Sequence, residues 1–234
     1  MTKTVLITGC SAGGLGHALA EEFHKLGYHV IATARDTKKI GPFATKPNVD
    51  IFPLDVTLPE SISDLLAKIQ AQGIKLDIVV NNAGCASFSP LVHSDINDAK
   101  AFSKAAMTFI SETLKIELEP LGVRVLTAMV GAINTEIYDG CDVVLPTDSW
   151  YKPIESIIRR QAKGEMQLPN NEAVEVTAAS IVRDTLSGRR GKIWRGGEAG
   201  MASVGSWLFP TWLVESILHR NRGLSALRKA HRQT

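Results

Sequence analysis

Between Thr8 and Gly16 the chain reads Thr-Gly-Cys-Ser-Ala-Gly-Gly-Leu-Gly, directly behind the apolar run Val5-Leu6-Ile7. Glycines placed this way suit contact with a pyrophosphate. Gly9 permits a sharp turn off a strand, and Gly14 lets backbone approach phosphate oxygens with no Cβ between. Gly16 lets the next helix pack closely. Ala18, Leu19, Phe23 and Leu26 follow at helical spacing, so the free N–H groups of a helix start would face the phosphate charge. Strand, glycine turn and helix make the front half of a unit that binds a dinucleotide.

The next chemical residue is Arg35, at the end of a second apolar run, Tyr28–Ala34. A site for NAD carries an acid at this strand end, to accept hydrogen bonds from the ribose 2′-hydroxyl. Arg35 would instead pair with the 2′-phosphate of NADP in a forked geometry. Lys38 and Lys39 add positive charge and Asp36 subtracts from it. An ordinary solvated loop is the plain alternative.

The elements that must position these groups alternate. Val49–Leu54 reads as a third strand, followed by Asp55-Val56. Glu60–Gln72 reads as a helix with Ile62, Leu65, Leu66 and Ile69 on one face, and Leu76–Val80 as a fourth strand leading into Asn81-Asn82-Ala83-Gly84. This order predicts an α/β fold with a doubly wound parallel sheet and right-handed crossovers. The chain has 234 residues, 44% of them hydrophobic, enough for one substantial core. A net charge of +2 predicts no nucleic-acid partner. Cys10, Cys85 and Cys141 are widely spaced, which fits a reducing, cytoplasmic setting and indicates neither a disulfide framework nor a metal site. A strand begins within five residues of Met1, which leaves no room for a leader peptide.

Together, Thr8-Gly9 with Gly14 and Gly16, Asp55-Val56 and Asn81-Asn82-Ala83-Gly84 resemble the short-chain dehydrogenase/reductase family, a Rossmann-type fold. Gly-Cys-Ser-Ala-Gly-Gly-Leu-Gly, Ala-Thr-Ala-Arg at 32–35, Ser-Trp-Tyr-Lys-Pro-Ile-Glu at 149–155 and Gly-Lys-Ile-Trp-Arg-Gly-Gly at 191–197 are similar to its branch of acyldihydroxyacetone phosphate reductases and hydroxysteroid-dehydrogenase-like enzymes. The resemblance implies that Gly9, Ser11, Gly14, Leu15 and Gly16 hold the pyrophosphate and adenine ribose. It implies that Arg35 meets the 2′-phosphate, Asp55 and Val56 the adenine, and Asn82, Ala83 and Gly84 the nicotinamide ribose. Asn82 would also brace the sheet. Ile133 and Thr135 match the loop at the nicotinamide carboxamide, with Val130 where the family has proline. One departure is mild: Gly9 and Gly14 stand one residue further apart than in most of the family.

The larger departure concerns the chemistry. The family's strand with a catalytic serine has no counterpart, and its tyrosine four residues before the lysine is replaced by Lys100. Ser103-Lys104-Ala105-Ala106 matches the motif, with Lys104 as its lysine. Lys104 stands only 20 positions after Gly84, so a block of one helix back, one strand and one helix front is expected to be missing. What remains, Asp95 to Leu118, would run as one fused helix with Phe102, Ala106, Phe109, Ile110, Thr113 and Ile116 on a face, closed by Pro120-Leu121-Gly122. The sheet would then have one central strand fewer than the family norm. Val123–Ala128 would follow as the next strand with a right-handed crossover. Lys104 alone would bind nicotinamide ribose but is a poor proton donor at neutral pH; as an alternative it is a solvated helix lysine. Of the other tyrosines, Tyr28 opens the second strand, and Tyr138 and Tyr151 lie in the expected substrate loop.

That loop spans 136–164, with Tyr138, Trp150, Tyr151 and Ile154 as apolar substrate candidates and Arg159-Arg160 as a charged helix face. Val174–Leu186 reads as a helix and Lys192–Trp194 as a final strand. Residues 1–198 form the nucleotide-binding domain and 199–234 an arm. From Ala199 to Val214 the arm has no charge and carries Trp207, Leu208, Phe209, Trp212 and Leu213; five basic residues follow. Sixteen uncharged residues broken by Pro210 are short for a span, which needs about 20. Two readings stay open: a segment lying at a membrane surface, or an arm packed over the substrate pocket or a second copy of the chain. The expected function is an NADP(H)-dependent oxidoreductase reducing a carbonyl on an apolar or lipid-like small molecule, or oxidising the alcohol. Its rival is a truncated, catalytically impaired nucleotide-binding protein acting as regulator or partner.

Overall fold

A computed structural model describes residues 2–84, 90, 104–138, 143–166, 171–210, 212–213, 215–216 and 222–231. Its centre is β1 (Thr4–Thr8), buried at all five positions. The strand pairs in parallel with β2 (His29–Ala34) on one side and β4 (Ile78–Val80) on the other, and β2 pairs with β3 (Val49–Pro53). The sheet order is β3-β2-β1-β4.

Alternate side chains of these strands feed two separate cores, which is why the sequence shows an unbroken apolar run there. Val5, Ile7, Val30 and Ala32 pack with Ala18, Leu19 and Phe23 of α1 (Leu15–Lys25) and with Ala178, Ile181 and Val182 of α5 (Val174–Leu186). Leu6 and Ile31 point the other way, onto Leu65 and Ile69 of α2 (Pro59–Ala71). Truncating Phe23, 1% exposed, to alanine would cost about 3–5 kcal/mol.

The later half is arranged differently from expectation. Helix α3 (Lys104–Glu117) leads to β5 (Leu126–Val130), which pairs in parallel with β8 (Gly191–Arg195). β5 does not join β4: among the described residues the sheet is split into a four-stranded part and the β5–β8 pair. The one narrower, continuous sheet expected from joined flanking helices is therefore not seen among the described strands. The expected apolar face of the fused helix also fails to cover the sheet. Phe109 is 75% and Ile116 71% exposed, while Thr108, Ser111, Glu112 and Lys115 are the half-buried positions, and the Thr108 hydroxyl donates to Met129 Sδ of β5 at 3.8 Å. The front of that helix, 95–103, lies outside the described residues.

Two smaller units complete the chain. Strands β6 (Ile133–Asn134) and β7 (Glu172–Ala173) form a short parallel pair. Helix α4 (Glu155–Ala162) gathers a satellite core of Val143, Leu145, Ile154, Ile158 and Ala162, against which Leu227 of α7 (Leu224–Ala230) packs. Between β8 and α7, helix α6 (Ala199–Leu208) leaves Met201, Val204 and Leu208 exposed. No helix among the described residues is long and apolar enough to cross a membrane.

Candidate functional site

The C-terminal ends of β1 and β4 are tied together by two side chains. The Thr8 hydroxyl accepts from the N–H groups of Asn82 and Ala83 at 3.0 and 2.9 Å. The Asn82 amide donates back to the carbonyls of Thr8 and Gly9 at 2.9 and 3.1 Å. This brings Ala83 against the turn so closely that a Cβ on Gly9, where φ is +74°, would lie 2.8 Å from Ala83 Cα. A Cβ on Gly16 would strike the Gly9 carbonyl and the Asn82 amide. Only glycine fits either place. Asn82 therefore braces the turn, as the sequence implies, and Thr8 is its equal partner.

The remainder of the turn hangs on neighbouring backbone. Cys10 N–H donates to the Thr33 carbonyl and Ala12 N–H to the Lys39 carbonyl, both at 2.8 Å, and Gly14 N–H to the Ser11 carbonyl at 3.2 Å. The Cys10 thiol is fully buried and donates to the Ile7 carbonyl at 3.3 Å. Burial pushes its pKa up to about 12, so it is an inert core group. Gly14 caps α1 in an extended conformation with no capping side chain, and the first turn of α1 holds no acid. Its N–H groups have no capping side chain on their own element, which suits an anion, and the glycine turn fits the pyrophosphate of a dinucleotide.

Arg35 stands exposed at the end of β2. Asp36 is turned toward its own loop, accepting from Lys38 N–H at 3.1 Å, as the cap of a 3-10 segment over Thr37–Thr45. The Asp55 carboxylate accepts from the hydroxyl and N–H of Thr57 at 2.7 and 2.9 Å. Those bonds, followed by the charge of Arg35, hold its pKa below the ordinary value. Val56 beside it is exposed. One rim of the cradle therefore carries a fixed carboxylate, a guanidinium and an apolar surface.

Facing the glycine turn is the loop after β5. Gly131 N–H donates to the Arg195 carbonyl at 2.8 Å, and Ala132 and Gly197 exchange N–H···O bonds at 2.9 Å. Ile133 is half-buried against the main core and Thr135 is half-buried beyond it. Glu136 begins a 3-10 turn, Glu136–Tyr138, and its carboxylate lies against Gly13. Nothing in the residue types predicted that contact, because Gly13 and Glu136 stand 123 positions apart in the sequence.

Of the other expected site residues, Lys104 opens α3, and its side chain lies outside the description. Gly84 follows the braced turn and is exposed. Trp150 is 78% exposed, and its carbonyl lies 2.9 Å from His231 Nε2. Tyr151 packs on the satellite core and Ile154 is 2% exposed within it, while Tyr138 is half-buried beside the Glu136 turn. Ile154 is thus a core residue and not a pocket wall. Arg159 pairs with Glu155 and Arg160 with Glu165, each at 3.2 Å.

A family model described as short chain dehydrogenase matches residues 3–102. The short-chain dehydrogenase cctT of Talaromyces islandicus is 37% identical, covering 91% of each chain. This chain belongs to the short-chain dehydrogenase family. Its oxidoreductase class, its use of a nicotinamide dinucleotide and its small-molecule substrate follow from that membership. The NADPH-dependent 1-acyldihydroxyacetone phosphate reductase of Schizosaccharomyces pombe is 31% identical over 67% of this chain and 70% of its own. A short-chain dehydrogenase structure from Streptomyces avermitilis superposes with a TM-score of 0.70 at 23% identity, covering 99% and 98% of the two chains. The cctT alignment spans 263 positions, whereas 91% of these 234 residues is about 213, so about 50 positions lack a residue of this chain.

Proposed function

We propose that this chain is an NADP(H)-binding oxidoreductase for a carbonyl on an apolar or lipid-like compound, and that in its present form hydride transfer is strongly impaired. The observation that carries the proposal is the contrast between an intact glycine cradle and a sheet interrupted between β4 and β5. The interruption, the 20-residue passage from Gly84 to Lys104 and the roughly 50 unmatched alignment positions all support a lost block. That block is where the family resemblance puts the serine strand and the tyrosine.

The bound nicotinamide would supply the hydride or receive it. The chain's own part is to seat the cofactor and manage the proton. Gly9, Ser11, Gly14, Leu15 and Gly16 would seat the pyrophosphate and adenine ribose. Arg35 would hold the 2′-phosphate, and Asp55 and Val56 the adenine. Asn82, Ala83, Gly84, Ile133, Thr135 and Lys104 would border the nicotinamide end. The proton at the carbonyl oxygen has no tyrosine at the matching position, where Lys100 stands. A positioned acid contributes about 10²–10⁴-fold, and turnover is expected to be lower by at least that factor. The NADPH dependence of the yeast reductase supports the cofactor, as does Arg35.

The apolar substrate class draws support from α6 and the segment after it, where Met201, Leu208 and Trp212 are each more than 60% exposed. The same surface supports contact with a lipid interface.

Fluorescence titration with NADPH and NADH tests the cofactor reading. Tighter binding of NADPH, lost by about 10–100-fold in Arg35→Asp, is the expected result, the size of a charge-assisted contact. Equal binding of both nucleotides by the wild type would overturn it. Turnover of a panel of long-chain ketones at the rate usual for enzymes, about 10 s⁻¹, would overturn the impairment.

A further inference from the structure

Glu136 is the one acid brought onto the glycine turn from the opposite side of the cleft among the described residues. A Cβ built on Gly13 would lie 2.8 Å from each oxygen of the Glu136 carboxylate, and Gly13 itself sits at φ +74°. Conformation thus keeps Gly13 free of a side chain, and the Glu136 carboxylate lies in the space one would fill. It also lies in the stretch that makes Gly9 and Gly14 stand one residue further apart than usual. Glu136 has no ion-pair partner among the described residues. The first turn of α1, next to Gly13, offers N–H groups with no capping side chain and no acid of its own. A carboxylate beside that helix end is attracted by the same partial positive charge that would draw an anion.

We propose that Glu136 is a carboxylate gate on the pyrophosphate cradle: it occupies the anion position in the free protein and must move aside when the cofactor binds. The proposal rests on the reading of Gly9–Gly16 as the dinucleotide site. Two consequences follow from like-charge repulsion and from the loss of the helix-end contact. Cofactor binding is weaker than the cradle alone would allow. And because Glu136 opens the 3-10 turn Glu136–Tyr138, its displacement links cofactor entry to movement of that turn, where the expected substrate loop begins.

The test uses the full chain, wild type and Glu136→Gln, titrated with NADPH and with 2′-AMP. The second probe carries the phosphate for Arg35 but no pyrophosphate. The glutamine variant keeps the size of the side chain and removes its charge. NADPH is expected to bind about two- to tenfold more tightly to the variant, with the difference shrinking between about 0.05 and about 0.5 M salt. Binding of 2′-AMP is expected to be unchanged. Unchanged NADPH affinity in the variant overturns the gate and leaves the cradle reading standing. Equal tightening of both probes also overturns the gate, since the effect would then come from overall charge. If neither protein binds NADPH while 2′-AMP still binds, the cradle reading itself falls, and the gate with it.

Discussion

Asn82 and Thr8 show what single side chains contribute to this cleft. The Asn82 amide satisfies two carbonyls at the end of β1, and the Thr8 hydroxyl receives two N–H groups from the end of β4. Replacing Asn82 by alanine leaves those carbonyls without their donor and opens space beside Gly16. The expected cost is about 1–3 kcal/mol, or a fall of several degrees in Tm for a chain of this size. Weaker NADPH binding is expected with it, because the turn loses its brace. Differential scanning calorimetry with a parallel nucleotide titration checks both, and a variant as stable as wild type would contradict the bracing role. The glycines were legible at this scale from their types and order alone. The Glu136 contact with Gly13 was not, since it depends on how two distant loops meet.

Among elements, the best-read ones are those buried on two sides or strictly periodic. Val5–Ile7 had to be a central strand because both faces are apolar, and Val174–Leu186 was bounded correctly from its spacing. The 3-10 segment Thr37–Thr45 escaped notice because Gly41, at φ +68°, and Pro42 break any period there. Helix α4 carries a charge-rich surface that hid its short apolar seam of Ile154, Ile158 and Ala162. Glu155 anchors this segment by accepting from Lys152 at 2.9 Å, Arg159 at 3.2 Å and Leu145 N–H at 3.4 Å. The bond with Lys152, followed by the Leu145 and Arg159 contacts, holds its pKa below the ordinary 4.5. A lowered folded pKa means stability that is present above pH 4.5 and lost as pH falls through the folded value. Limited proteolysis within 143–162 should therefore rise sharply below pH 4.5 in the wild type. In Glu155→Gln it should already be high at pH 7, and an identical pH profile in the two proteins would remove the anchor from consideration.

For the whole molecule, the split sheet separates regions of different stability. β1 is buried at every position and paired on both sides, whereas β5 is half-buried or exposed and pairs with β8 alone among the described strands. Hydrogen exchange under native conditions should then show β1 and β2 amides opening only with global unfolding, and β5 and β8 amides opening earlier. Uniform protection across the two parts would mean that the interruption carries no energetic weight. The sequence led to the expectation of one strand fewer in a single sheet, and the described strands instead form two separate parts. Closure would have required β4 and β5 to meet at strand spacing, and local pattern carries no information on that distance.

The packing of α1 on α5 has a consequence for synthesis. Phe23 and Leu19 are covered by Ala178, Ile181 and Val182, which lie about 150 residues later, counting from Lys25 to Val174 (174 − 25 = 149). At about 5–20 residues per second, the ribosome needs roughly 8–30 seconds to deliver the covering helix. Throughout that interval the nascent glycine-turn helix has an uncovered apolar stripe, so the yield of native protein depends on what shields that stripe before the chain is finished.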